Sequence, residues 1–341
     1  MRFTALYAVG ALATLAPFVA VACEGTSFSV HDDGGTTVTP NDGSPPTGDD
    51  TAETDSSPAE DSSIADAAVK PSCRRSAPFG PPVRVLGLPD NALQLRLLPD
   101  ELTGYYVTSA NNAVLRVTRA TLTSAFGPPE TLTFKFTGDA PDAAPHGYIS
   151  ASLTADDSTL YLAADFSIYR TYRDGGVFGN ATRLPFSSQD GGTFFLAPEI
   201  TPDGTHLFHT RLSFAEAVVD NVSSSVAADG AVSAPTVTPL GFAGRNAYVV
   251  VSVESQMAYF ATWRTQDAGV NDPHEIWSAA VSFPAGGEPQ FSDFSPVTEL
   301  NSPPADRYPT ALSADGCRFY FTGPNVNTGA ASTYVAERPL Q

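Results

Sequence analysis

The chain carries five histidines, His31, His146, His206, His209 and His274, and a series of carboxylates at matching places in related segments: Asp100, Asp156, Asp203, Glu254 and Asp315. Metal ligation needs such groups at short, fixed spacings. The histidines form no H-E-x-x-H or comparable pattern, so neither a metal nor a cofactor is expected. No G-x-S-x-G elbow or glycine-rich phosphate loop joins a strand to a helix. Paired carboxylates are the chemistry that remains. Glycoside hydrolysis places two of them about 5 to 9.5 Å apart, and Glu199 and Asp306, each read as preceding a channel-lining strand, could meet. The five aligned acids are explained by turns, because Asp accepts hydrogen bonds from backbone amides just ahead of it. His209 stands where other segments have Leu162, Phe260 and Phe321, which points to a core or rim histidine with satisfied nitrogens.

The aligned segments define the elements that would hold any such group. "LLPDELTGYYVTS" from Leu97, "LTADDSTLYLAA" from Leu153, "ITPDGTHLFHTR" from Ile200, "VSVESQMAYFATW" from Val251 and "LSADGCRFYFTG" from Leu312 each pair an acidic turn with an aromatic run. In register, with a longer turn in the first, they place Tyr106, Tyr161, Phe208, Tyr259 and Tyr320 in one column. The run is apolar at consecutive positions, as expected of a strand covered on both faces. A second motif, "FGPPVRVLGL" from Phe79, "FGPPETLTF" from Phe126, "FGNATRLPF" from Phe178, "SAPTVTPLGF" from Ser233 and "FSPVTELN" from Phe294, has proline near its start in four of the five copies and reads as an outermost strand. Third strands fit at 168–172, 276–279 and 334–337.

The result is an all-β chain of four-stranded antiparallel blades, a β-propeller. Five blades are expected; six is the alternative if 213–244 or the insert after Trp263 hides another. The motif at Phe79 precedes every complete copy and the last copy lacks an edge, so the N-terminal strand should close the last blade and remove exposed sheet edges. Cys73 and Cys317 would then share one end of that blade, and in an exported protein they should form a disulfide.

Export is read from the N-terminus, where Arg2 precedes an uncharged apolar run over 3–22 that ends in small residues, the pattern of a signal peptide. "AVAC" at 20–23 resembles a bacterial lipobox. That resemblance implies acylation of Cys23, with each buried methylene contributing about 0.8 kcal/mol to membrane attachment. Residues 23–72 then form a disordered tether, and 73–341 the propeller domain. The formal charge is −19, with no basic cluster, which argues against nucleic acid as a partner. Glu24 follows Cys23 where an inner-membrane retention signal would have Asp, favouring an outer-membrane lipoprotein on the periplasmic side or at the surface; a monomer is expected.

"TPDGTHLF" from Thr201 and "SADGCRFYF" from Ser313 are similar to the WD40-like repeats of the TolB type. The resemblance covers most of the chain after Cys73. It implies a propeller that binds partner proteins across one face. The loops into innermost strands offer His146, Glu199, Arg245, Asp306 and Arg307. Those joining second to third strands offer Asn111, Asp165, Arg211, Arg264 and Asn325, with the longest insert, "TQDAGVNDPHE", from Thr265. The leading expectation is a non-enzymatic, tethered propeller whose face binds an envelope protein or glycan. The alternative is a carbohydrate-active enzyme using carboxylates at the central channel.

Overall fold

The acidic turns form as their composition dictates. In the computed structural model, which describes residues 73–108, 113–137, 147–186, 192–213, 218–240, 246–263, 273–284, 287–301, 306–325 and 327–341, each Asp accepts the amide two residues ahead. The distances are 2.9 Å from Leu102 to Asp100, 3.1 Å from Ser158 to Asp156, 3.1 Å from Thr205 to Asp203 and 3.0 Å from Cys317 to Asp315. A preceding hydroxyl adds a second donor in three blades, at 2.6 Å from Thr154, Thr201 and Ser313. The Thr154 bond is the main reason that the Asp156 carboxyl lies below the ordinary range.

These turns join the first and second strands of five antiparallel blades. Blade 1 comprises Ala92–Leu97, Thr103–Thr108, Ala113–Thr118 and Glu130–Thr131; blade 2 comprises Tyr148–Leu153, Thr159–Ala164, Ser167–Asp174 and Asn180–Arg183. Blade 3 is built from Thr193–Ile200, His206–Ser213, Val218–Ser225 and Thr236–Val237, and blade 4 from Asn246–Ser252, Met257–Trp263, His274–Ser282 and Gln290–Pro296. Blade 5 takes Tyr308–Leu312, Arg318–Pro324 and Ala331–Glu337 from the C-terminus and Val83–Arg84 from the N-terminus. Blade 2 carries two extra pieces, the parallel strand Lys135–Thr137 on its outer edge and a hairpin at Val177–Phe178. No helix occurs among the described residues. The fold is a five-bladed propeller.

Two register details differ from the sequence reading. The first turn is no longer than the others: Leu98 donates to Thr103 O at 3.0 Å as Thr154 does to Thr159 O at 3.0 Å. The column residue of blade 1 is therefore Tyr105, opposite Arg96, and not Tyr106. Every innermost strand also contains a one-residue bulge near mid-height, at Leu93/Arg96, Tyr148/Ser150, Leu196/Glu199, Ala247/Val250 and Pro309/Ala311. A bulge twists the strand and tolerates proline, which is how Pro198 is accommodated in blade 3.

Five apolar clusters fill the five interfaces between blades. Tyr105, Tyr161, Phe208, Tyr259 and Tyr320 anchor them, each no more than 2% exposed, and burial of such a ring contributes roughly 1.5–3 kcal/mol. At three interfaces the tyrosine hydroxyl also reaches an arginine at or just past the end of the third strand of the next blade. Arg173 donates to Tyr105 Oη at 2.7 Å, Arg338 to Tyr259 Oη at 2.8 Å and Arg119 to Tyr320 Oη at 3.1 Å. Each guanidinium lies over the phenylalanine that opens a proline-containing motif: Arg173 over Phe178 at 4.4 Å, Arg338 over Phe79 at 4.3 Å and Arg119 over Phe126 at 4.7 Å. The phenylalanine thus caps a clamp between blades, beyond marking the approach to an edge strand. Blades 3 and 4 have Val226 and Val281 at the arginine position.

The ring closes as expected. Val83 and Arg84 pair with Val335 and Tyr334, Cys73 bridges to Leu340, and Cys73 is disulfide-bonded to Cys317 across 244 residues of sequence. Gly87 fixes the next step. Its φ is +85°, and a Cβ there would lie 2.2 Å from the Phe126 carbonyl oxygen, so only glycine lets the N-terminal segment lie against blade 1.

Candidate functional site

The two sides of the ring are built differently. On the turn side the first and second strands are joined by 98–102, 154–158, 201–205, 253–256 and 313–317, nearly constant in length. On the loop side the second-to-third connections run from the two-residue turn 165–166 to the ten-residue stretch 264–273. A constant scaffold with variable connections on one side is the arrangement that carries binding sites.

Among the described residues, a hydrogen-bonded polar group on the loop side lies where the end of that long stretch meets the strand leading into blade 5. Asp306 Oδ1 accepts from the His274 backbone N–H at 3.0 Å and lies 2.7 Å from His274 Nδ1, while Tyr308 Oη donates to Oδ2. Burial works against ionisation of Asp306, yet the hydrogen bonds and charge of His274 hold its carboxyl below the usual range. The His274 and Tyr308 ring centroids are 4.9 Å apart, and Tyr248 meets Tyr308 edge-on at 4.8 Å. Burial, with the Asp306 charge second, pushes the Tyr248 phenol up to about 12. Arg307, next in the chain, lays its guanidinium over Phe321 at 5.7 Å. The corner therefore presents two tyrosines, an imidazole oriented by a carboxylate and a half-buried guanidinium.

The ring axis is closed by an ion pair. Arg96, on the innermost strand of blade 1, places Nε 3.0 Å from Glu199 Oε2 of blade 3 and donates from Nη1 to the Thr310 carbonyl of blade 5. Ser152 of blade 2 donates to the same Glu199 oxygen at 3.2 Å and accepts the Ile200 amide at 3.1 Å. Four blades therefore meet at the Arg96–Glu199 pair. Burial pushes the Glu199 carboxyl up to about 7 against the opposing pull of Arg96, and burial also lowers the Arg96 guanidinium.

The sequence-predicted residues separate accordingly. Asp306 and Arg307 lie at the blade 4–5 corner. Asp165 lies on the loop side in the tight turn between second and third strands, where its Oδ1 accepts the Gly147 amide at 3.1 Å. Glu199 is not in a loop: it is the penultimate residue of an innermost strand, toward the turn side, and is committed to Arg96. Arg211 is likewise within a strand and pairs with Asp220 at 2.8 Å. The two carboxylates proposed as a catalytic pair are thus engaged separately. His146, Arg245, Arg264 and Asn111 lie outside the described residues, as do Cys23, the signal peptide and the tether. His209 is in the core, stacked on Phe186 at 5.1 Å, but neither ring nitrogen has a hydrogen-bond partner. Burial lowers its pKa to about 3, so it is neutral. Sequence reading passed over Arg96, Tyr248 and Tyr308. The arginine is the one charged residue in the run "LQLRL", and that was the available signal.

No family model matches the chain, and no curated protein matches it. Solved structures do. The catalytic domain of a GH62 α-L-arabinofuranosidase from Coprinopsis cinerea is 8% identical, covering 77% of this chain and 98% of that one at a TM-score of 0.47. Regucalcin, a calcium-binding protein from Agrobacterium tumefaciens, is 13% identical over 77% of this chain and 95% of that one, TM-score 0.43. TolB from Acinetobacter baumannii is 14% identical over 74% of this chain, which spans 56% of that protein, TM-score 0.39. The ring itself is established by the chain's own strand pairing.

Proposed function

We propose that this chain is an exported lipoprotein, attached through Cys23, whose propeller binds a partner protein of the cell envelope at the blade 4–5 corner of its loop side. The observation that carries this reading is the ordered His274–Asp306–Tyr308 group, which ties the longest second-to-third connection to the approach of blade 5 on the variable side of the ring. The axis, where propeller chemistry would assemble, is instead occupied by the Arg96–Glu199 pair. The point where the described chain enters the ring supports the same picture: Cys73 is bonded to Cys317 in a turn-side connection, on the side of the ring away from the binding corner.

Affinity capture from envelope extracts tests the reading, comparing the unsubstituted chain with a triple variant carrying His274→Ala, Asp306→Ala and Arg307→Ala. The variant should lose the partner that the parent retains; equal recovery of the same protein discards the corner. Labelling with a radioactive fatty acid tests attachment, and incorporation that persists in Cys23→Ser discards it.

A further inference from the structure

We propose that the ring opens between blades 3 and 4 while remaining closed elsewhere. At the 5–1, 1–2 and 4–5 interfaces a tyrosine hydroxyl, an arginine and a capping phenylalanine cross from blade to blade. At the 2–3 interface Arg170 serves instead, stacked on Tyr172 at 5.0 Å and donating to the Gly230 carbonyl of blade 3. At the 3–4 interface the corresponding residues are Phe208, which has no hydroxyl, and Val281, which has no charge. Among the described residues these blades are joined by ring contacts, Phe208 against Phe291 at 6.1 Å and His206 against Phe283 at 5.2 Å, and by hydrogen bonds that involve no arginine: Ser223 to Glu288 at 3.2 Å, the Tyr248 amide to Thr210 Oγ1 at 3.1 Å, and Asn246 Nδ2 to the Leu240 carbonyl.

The same interface also holds polar groups that gain by opening. Asn221 pairs in register with Thr210, whose Oγ1 accepts the Tyr248 amide of blade 4 at 3.1 Å, so the Asn221 side chain faces blade 4. It is fully buried, and neither its amide nitrogen nor its amide oxygen has a hydrogen-bond partner. Thr238, beside it on the outer edge, is 5% exposed and its hydroxyl is equally unpartnered. An unpaired buried amide penalises the closed state and is relieved when water reaches it. The disulfide and the 5–1 clamp hold the opposite part of the ring, so separation at one interface leaves a single covalent circle. Such an opening lies below global unfolding in free energy.

Matched cysteines test this. Ala279 and Ala336 occupy equivalent third-strand positions, both fully buried, the first in the 3–4 cluster and the second in the 4–5 cluster. In a Cys23→Ser chain with the disulfide intact, Ala279→Cys should react with a thiol reagent under native conditions about tenfold or more faster than Ala336→Cys. Adding Phe208→Tyr and Val281→Arg, which installs the missing clamp, should bring the two rates together. Equal rates without the clamp, or faster reaction at 336, overturn the proposal. Hydrogen exchange of the unsubstituted chain reads the same contrast without a core substitution: Val218–Ser225 and Asn246–Ser252 should exchange faster than Ala92–Leu97 and Arg318–Pro324, and equal protection overturns it.

Discussion

Blades 5 and 1 meet through Glu101, which is 3% exposed and accepts from Arg318 Nε at 2.8 Å and from Tyr320 Oη at 2.7 Å, with Arg119 completing the group at 3.1 Å. Among the described residues, blades 3 and 4 meet through aromatic contacts and a few hydrogen bonds with no arginine among them, beside an unpaired asparagine. Both interfaces repeat the same strand geometry, so the difference lies in side chains alone. It teaches that a propeller need not distribute its stability evenly. Charged, directional contacts are concentrated where the two chain ends must find each other, and the interface between blades 3 and 4 has no such arginine clamp.

The largest break in this comparison should come from the disulfide. Cys73→Ser with Cys317→Ser releases a long closed loop and should cost about 4 kcal/mol, read from urea unfolding; a loss below 1 kcal/mol would show that the two-residue strand Val83–Arg84 and the clamp suffice. Next, Arg318→Met leaves Glu101 buried without its principal cation and should cost about 3 kcal/mol by the same measurement, whereas Glu288→Gln at the 3–4 interface should change stability by less than about 0.5 kcal/mol.

A further effect, smaller than the loss of Arg318, concerns the axis. Because the folded Glu199 carboxyl titrates at about 7 against an ordinary 4.5, the folded state binds that proton more tightly than the unfolded chain does. This contribution is fully present below the unfolded value and is lost as pH rises through 7. The parent should therefore gain roughly 2 kcal/mol between pH 8 and pH 5 relative to Glu199→Gln. Parallel pH profiles for the two proteins would remove Glu199 as the titrating group. Asp156 and Asp306 act with the opposite sign: their carboxyls are lowered, so their contribution is lost only as pH falls below the ordinary carboxylate range.

The repeats were legible because an Asp turn is stabilised within five residues, and closure was legible because an unmatched motif stood at each end. Tyr105 was missed for Tyr106 because two adjacent tyrosines satisfy the same local pattern and only strand register separates them. Glu199 was misplaced because Pro198 looks like a strand end, whereas the bulge beside it absorbs the proline. The clamps were invisible for a further reason: Tyr320 and Arg119 are about two hundred residues apart, and neither residue type announces a partner. At the candidate site, Asp306 and Arg307 were found from the loops they occupy, but the aromatic pair Tyr248 and Tyr308 lies within innermost strands that read only as core.

The bond between Cys73 and Cys317 also decides how the molecule would bear load. A pull on the N-terminus cannot peel the short strand at Val83 from its neighbour, because tension passes through sulfur into the turn ahead of Arg318 and pulls on the middle of blade 5. A head held on a leash through this point would resist being stripped open by drag or by a receding partner.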